Sequence, residues 1–171
     1  IGCYEVAGYS LISKTKRFNA LVFGGEKATV MAGRQEVLGH HNIRMIPVKE
    51  DMSHLFLVNE ALDNNEIMSM PADRIIGSAK SVTSVFMDAE ARFPAGPLSV
   101  ATMKGLDVLA VNVMKTSAKH YKVYVARLSY DKQAPRRQQM QQLADSYVKE
   151  LERRVRQYPL QWFNFYDFWS R

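Results

Sequence analysis

The stretch Ile43–Met70, IRMIPVKEDMSHLFLVNEALDNNEIMSM, decides the fold because an amphipathic segment lies between two apolar runs. The runs Ile43–Val48 and Ile67–Met70 have the composition of strands, and we expect the second to be buried. Asp51 or Ser53 is expected to cap a helix between them. The apolar face of this helix consists of Leu55, Leu57, Val58, Ala61 and Leu62. Strands that alternate with helices favour an α/β fold with parallel strands.

The same alternation extends over the rest of the chain. Helices are expected at Val6–Lys16, Glu26–Leu38, Gly96–Lys104 and Pro135–Gln157, and extended segments at Ala20–Phe23, Ser81–Met87, Glu90–Phe93, Val108–Met114 and Tyr121–Ala126. A polar turn separates the last two strands, which is typical of an antiparallel hairpin. The sequence therefore predicts an α/β fold in which helices flank a mixed, mainly parallel sheet. It has a long C-terminal helix and forms a single domain over residues 1–171.

The composition is that of a globular protein that attracts anions. The 171 residues are 47% hydrophobic and 23% charged, with a net charge of +6. Positive charge attracts nucleic acid, anionic lipid and phosphorylated carriers alike. Because basic and aromatic residues do not interleave in an RNA-binding pattern, we expect no nucleic-acid partner. No apolar run in this sequence reaches the roughly 18 residues that a membrane-spanning helix requires.

Cysteine and histidine are not arranged as a metal site. Cys3 is the single cysteine, which excludes an intramolecular disulfide and suits a reducing compartment. The histidines have no cysteine or carboxylate at ligand spacing. We therefore expect no metal and no cofactor, and we expect structural or solvent-facing roles for His40, His41, His54 and His120.

The C-terminal segment Glu152–Trp169 carries the first specific motif, in which Tyr-Pro-x-Gln-Trp precedes an aromatic run. It resembles the C-terminus of the late lipid A acyltransferases and of a wider bacterial acyltransferase family, although Leu160 stands where these proteins usually have Glu. Segments Glu60–Asp73 and Phe86–Ala101 resemble the same family in order and spacing, with Arg74 in place of the usual Gln. The resemblance implies a glycerol-3-phosphate acyltransferase-like fold.

The catalytic signature of that family is His, four residues, then Asp or Glu. Ile1–Glu5 looks like the last five positions of this motif, with Glu5 as the acidic partner and the His immediately before Ile1. A His near neutral pH can take the proton of an attacking hydroxyl, and a carboxylate orients its ring. The resemblance therefore implies an acyltransferase domain truncated inside its motif, and we expect these residues alone to be inactive.

Further site residues are predicted from position and charge. The loop Pro71–Arg74 follows a predicted strand, and open α/β sheets bind ligands at the carboxyl ends of strands. We expect Asp73 to order this loop or the acceptor, and Arg74 to hold a phosphate. Lys80 and Arg92 are further candidates for anion binding.

The resemblance also implies the partners. It indicates that a fatty acyl group passes from acyl-carrier protein or acyl-CoA to a hydroxyl of a lipid A precursor, a lysolipid or an aminolipid. The expected location is the cytoplasmic face of the inner membrane. The alternative is a non-catalytic module that binds lipid or phosphate on the same fold.

The aromatic run at the C-terminus has two interpretations. Trp and Tyr favour the membrane interface, so the run and the basic cluster Arg153-Arg154-x-Arg156 could contact a membrane peripherally. The run could equally pack back on the domain as a last helix. Its aromatic residues do not form one helical stripe, so we expect some of them to be exposed.

Overall fold

The computed structural model describes residues 1–3, 6, 13–22, 42–49, 51–75, 80–165 and 168–169. The chain divides into two compact units, one of residues 5–71 and the other of residues 1–4 and 72–171. The predicted helix Glu26–Leu38 lies outside the described residues. The predicted helix Val6–Lys16 does not reach Lys16, because residues 13–17 form bends and irregular chain. The single domain stays a prediction.

The unit of residues 5–71 contains a parallel sheet. Its described elements are β1 (Phe18–Val22), β2 (Ile43–Pro47), α1 (His54–Asp63) and β3 (Ile67–Ser69). The strand order is β2-β1-β3, and both neighbours of β1 run parallel to it. The sequence prediction of parallel strands is confirmed here, and α1 lies between β2 and β3 in the chain as predicted.

Two details of this unit differ from the predictions. The sequence predicts a buried β3, but this strand pairs only with β1 among the described strands, and Ile67 is 37% exposed. A strand at the edge of a sheet lacks a neighbour to cover it. Ser53 occupies the N-cap position of α1, one of the two predicted alternatives, but its side chain makes no capping hydrogen bond. Asp51 accepts the N–H of Ser53 at 2.9 Å, so it stabilises the turn before the helix.

The unit of residues 1–4 and 72–171 contains two antiparallel hairpins and two helices. Its elements are β4 (Ser81–Phe86), β5 (Ala89–Pro94), α2 (Ala95–Met103), β6 (Val108–Lys115), β7 (Tyr121–Leu128), α3 (Arg136–Gln157) and a 3₁₀ turn (Pro159–Gln161). β4 pairs with β5, and β6 pairs with β7 in the expected hairpin. The segment Glu90–Phe93, predicted as a short extended piece, is part of a full hairpin strand.

Helix α3 joins the two hydrophobic clusters of this unit. The aromatic cluster consists of Phe86, Ala91, Phe93, Val148, Leu151, Val155 and Phe168, with Ile1, Trp162 and Trp169 packed against it. The aliphatic cluster consists of Leu98, Ala101, Ala110, Leu128, Leu143 and Ala144. Because α3 places residues in both clusters, it is the main support of both hairpins. The mixed α/β class with a long C-terminal helix is confirmed.

Candidate functional site

The first residue of the chain lies against Asp73, in the loop Pro71–Arg74 (the acidic loop). The terminal ammonium nitrogen of Ile1 lies 3.4 Å from Oδ2 of Asp73. The side chain of Ile1 is 1% exposed and packs against the aromatic cluster, whereas Asp73 is half-buried. A buried apolar side chain fixes the position of its own backbone. The predicted motif and the predicted acidic loop therefore meet at Ile1 and Asp73.

The next two residues pair with β6. The N–H of Cys3 donates to the carbonyl of Val113 at 2.8 Å, and the N–H of Gly2 donates to the carbonyl of Gln161 at 2.8 Å. Gly2 also forms a parallel bridge with Val113. Residues 1–3 thus lie between the edge of β6 and the 3₁₀ turn at the end of α3.

The side chain of Gln161 attaches that turn to β6. Its Oε1 accepts the N–H of Lys115 at 2.8 Å, and its Nε2 donates to the carbonyl of Lys115 at 2.8 Å. A primary amide has one acceptor and two donor hydrogens, so it can pair with both main-chain groups of one strand residue. Gln161 therefore pairs with both main-chain groups of Lys115, the last residue of β6.

The predicted catalytic residue Glu5 lies outside the described residues, and its role stays a prediction. Arg74 is exposed, and its Nη2 donates to the carbonyl of Phe163 at 3.1 Å. This bond links the acidic loop to the aromatic run. Because a guanidinium has five N–H donors, the bond to Phe163 leaves others for an anion.

The other two residues predicted to bind anions, Lys80 and Arg92, lie at the open end of the β4–β5 hairpin. Arg92 lies on the exposed face of β5, and its Nε donates to Oγ of Ser81 at 3.0 Å. Lys80 is exposed and directly precedes Ser81, and its carbonyl accepts the N–H of Ala95 at 3.2 Å. The structure thus groups Lys80 with Arg92 and groups Asp73 with Ile1.

The basic cluster Arg153-Arg154-x-Arg156 is not a free positive patch. Arg154 is 6% exposed, and its Nε donates to Glu150 at 2.7 Å. Arg153 also pairs with Glu150, and Arg156 pairs with Glu152 at 2.7 Å. The prediction that this cluster faces a membrane is wrong for Arg154, because Arg154 is buried and pairs with Glu150 one helical turn earlier on α3.

The aromatic run is partly packed and partly exposed. Phe168 and Trp169 pack on Phe86, at ring-centroid distances of 5.4 and 5.9 Å. By contrast, Leu160 and Phe165 are 92% and 91% exposed. The segment forms a 3₁₀ turn and irregular chain up to residue 165, so the prediction of a last α-helix is wrong for that part. Proline at the first position of the turn cannot continue the hydrogen bonding of α3.

The described histidines have structural contacts. His54 is buried at the start of α1, and its Nδ1 accepts the N–H of Lys49 at 3.1 Å. His120 lies in the exposed turn of the β6–β7 hairpin, where its Nδ1 is 2.7 Å from Oγ of Ser117. Within the part of the chain that the structure describes, no three histidine, cysteine or acidic residues form a group suited to a metal ion.

Sequence reasoning missed two residues of this site, Gly2 and Gln161. Both stand inside segments that carry the family resemblance, one in the motif and one in Tyr-Pro-x-Gln-Trp. The motif pattern treats the residue at Gly2 as any residue, and the sequence cannot show which strand Gln161 meets. A glycine inside the predicted motif is the one signal that the sequence offers.

One unit contains parallel strands with a described helix between two of them, and the other contains two antiparallel hairpins and two helices, so the described chain has a mixed α/β fold. A family model described as bacterial lipid A biosynthesis acyltransferase matches residues 27–171. The chain therefore belongs to the bacterial lipid A biosynthesis acyltransferase family, as the resemblance predicted. No curated protein matches the chain.

The family supports an acyltransferase role with an acyl donor and a lipid acceptor. The matched range begins after Glu5, so the family match does not include the predicted motif at residues 1–5. That motif is supported by its own residue pattern. None of the helices in the described ranges combines the length and the apolar content needed to cross a membrane.

Proposed function

We propose that the protein transfers a fatty acyl group from acyl-carrier protein or acyl-CoA to a hydroxyl of a lipid acceptor, by a dyad of Glu5 and a His immediately before Ile1. The acceptor is a lipid A precursor, a lysolipid or an aminolipid. The observation that carries the proposal is the match of the bacterial lipid A biosynthesis acyltransferase family model to residues 27–171. Residues 1–5 resemble the end of that family's catalytic motif, and residues 1–3 are held between β6 and the 3₁₀ turn.

The proposed reaction is one acyl transfer from sulfur to oxygen. The His takes the proton of the acceptor hydroxyl while the oxygen attacks the thioester carbonyl carbon. The tetrahedral intermediate then collapses, the carbon–sulfur bond breaks, and the thiolate leaves with the proton that the His returns. Glu5 accepts a hydrogen bond from the other ring nitrogen and stabilises the imidazolium. This chemistry requires no cofactor beyond the thioester donor.

The polar residues around the loop have supporting roles in this proposal. Asp73 orders its loop or the acceptor. Arg74 binds a phosphate of the donor or acceptor with the N–H groups that do not contact Phe163. Lys80 and Arg92, on the exposed end of their hairpin, attract the same anionic molecules.

The test is an acyl-transfer assay on the protein with its natural residues before Ile1, with lipid products measured by mass spectrometry. Glu5→Ala and the substitution of the preceding residue should each lower kcat by about 10²- to 10⁴-fold. Glu90→Ala is a matched control, because Glu90 is an exposed acid of β5 outside the motif, and we expect it to retain full activity.

Two outcomes would contradict the dyad. Unchanged turnover in Glu5→Ala removes Glu5 from the mechanism. A residue other than His before Ile1 removes the base, and a protein that binds lipid without transferring acyl groups is then the non-catalytic binding module.

A peripheral contact with the cytoplasmic face of the inner membrane is part of the proposal. Leu160, Phe163 and Phe165 expose apolar side chains on one short stretch of chain. Exposed apolar residues of this kind enter the interfacial layer of a bilayer. Because a lipid acceptor resides in the bilayer, this contact brings the site to its substrate.

The membrane contact predicts a loss of binding to phosphatidylglycerol vesicles in a flotation assay. Replacement of Leu160, Phe163 and Phe165 by serine should weaken partitioning by about tenfold. A control variant replaces three exposed apolar residues of the β6–β7 hairpin, Leu109, Val111 and Val125, by serine. Equal losses in both variants would exclude a specific role of the C-terminal segment.

A further inference from the structure

The backbone position of Gly2 admits only glycine. Its φ is +69°, in the left-handed region that residues with a Cβ rarely adopt. A Cβ at this position would overlap the carbonyl oxygen of Val113 and lie 2.6 Å from Sδ of Met114. Any larger residue must therefore push residues 1–3 away from the edge of β6.

The position of Gly2 also depends on the 3₁₀ turn after α3. The N–H of Gly2 donates to the carbonyl of Gln161, and the side-chain amide of Gln161 makes both of its bonds to the main chain of Lys115, each of these bonds at 2.8 Å. The turn is therefore fixed to β6 by its side chain while it holds Gly2 by its main chain. Without the side-chain amide, the carbonyl of Gln161 that accepts the N–H of Gly2 is no longer attached to β6.

We propose that Gln161 and Gly2 are positioning residues for the catalytic motif, an inference that rests on the proposed His/Glu dyad. The two residues hold the segment Ile1–Cys3 between the two members of the dyad. Glu5 stands three positions after Gly2, and the proposed His stands two positions before it. A displacement of Gly2 therefore shifts the main chain that connects the two members of the proposed dyad.

The expected size of the effect follows from the sensitivity of catalysis to geometry. A misplacement of about 1 Å in a catalytic group can cost about 100-fold in rate. The affinity for the donor should change little, because Gln161 holds the motif and does not contact the thioester in this proposal. The variants should consequently lower kcat far more than they change KM.

The experiment compares Gln161→Ala with Gln139→Ala in the protein that carries its natural residues before Ile1. Gln139 is a matched control, because its Nε2 also donates to main-chain carbonyls, those of Lys132 at 3.1 Å and Ala134 at 2.7 Å. Gln161→Ala should lower kcat by about 10- to 100-fold with KM nearly unchanged. Gln139→Ala should retain the kcat of the unsubstituted protein.

Gln161→Glu adds a readout that a purely structural role would not change. The ionised carboxylate can accept the N–H of Lys115 but faces the carbonyl of Lys115 without a donor. The protonated carboxyl group restores both hydrogen bonds of the amide. The ratio of kcat in Gln161→Glu to kcat in the unsubstituted protein should therefore rise as the pH falls.

Hydrogen exchange tests the attachment itself. The amides of Gly2 and Cys3 should exchange faster in Gln161→Ala and at an unchanged rate in Gln139→Ala. Unchanged exchange at both amides, or a kcat in Gln161→Ala equal to that of Gln139→Ala, overturns the positioning role while the acyltransferase proposal stands. Absence of acyl transfer by the unsubstituted protein overturns the acyltransferase proposal, and the positioning role with it.

Discussion

The hairpins β4–β5 and β6–β7 are both antiparallel and both contact α3, yet they differ in what their buried residues and their edges do. β4–β5 contributes Phe86 and Phe93 to the aromatic cluster. β6–β7 contributes the small residue Ala110 and Leu128 to the aliphatic cluster, while its β6 edge pairs with Gly2 and Gln161. The first hairpin therefore serves mainly stability, and the second holds the proposed catalytic segment. Equivalent secondary structure thus gives different sensitivity to substitution.

The largest effect is expected at Phe86, which is fully buried among four aromatic rings. Phe86→Ala should lower the free energy of unfolding by about 3–5 kcal/mol, because the cavity cannot collapse in a rigid aromatic cluster. Val111→Ala on the exposed face of β6 should cost less than about 1 kcal/mol. Chemical denaturation measures both, and similar losses would contradict the assignment of stability to β4–β5.

The second effect distinguishes two glycines. Gly2→Ala should lower kcat by about 100-fold, because the added methyl group forces the segment away from β6. A methyl group added at Gly96 in α2 would meet no atom within 4 Å, so Gly96→Ala should raise the free energy of unfolding by about 0.5 kcal/mol. Acyl-transfer assays and thermal unfolding measure the pair. Full activity in Gly2→Ala would show that the β6 edge does not hold the site.

The smallest effect concerns Glu152, which attaches the β4–β5 turn to α3. The N–H of Met87 and then Arg156 lower the pKa of Glu152 below its ordinary value of 4.5. Because the folded state has the lower pKa, this contribution is complete above the unfolded pKa and is lost as the pH falls through the folded pKa. Glu152→Gln should therefore cost roughly 0.5–1 kcal/mol at pH 7.

Urea denaturation at several pH values tests this dependence. The difference between Glu152→Gln and the unsubstituted protein should shrink as the pH falls below the folded pKa. Glu60→Gln is the control, since its pair with Arg44 at 3.6 Å is exposed and should contribute little at any pH. A difference for Glu152→Gln that is constant with pH would mean that its charge is unimportant.

Much of the fold could be predicted from local patterns. The strands at Ile43–Pro47 and Val108–Lys115, helix α2 and the long helix α3 agree with their predictions within one or two residues. Their hydrophobic period and their flanking Pro and Gly residues are local signals. The exposure of β3 could not be predicted, because it depends on the absence of a neighbour on its other side among the described strands.

The candidate site was predictable only in part. The position of Asp73 after a strand predicts a site residue, and its role stays a prediction. The charge of the basic cluster at Arg154 gave a wrong prediction, because charge composition does not reveal that Glu150 and Arg154 are buried together. Burial and pairing of charges depend on the orientation of a helix in the fold, which composition does not contain.

The sequence by itself determined the α/β class, the order of strands and helices, and the family to which the chain belongs, because these depend on patterns within short segments. Only the tertiary structure decided that Gly2 lies between β6 and the turn at Gln161, residues that are far apart in the sequence. Such a contact forms only when packing brings distant main-chain groups within hydrogen-bonding distance. The first three residues of the segment that resembles half of a motif thus acquired a physical context in their contacts with β6 and the turn at Gln161.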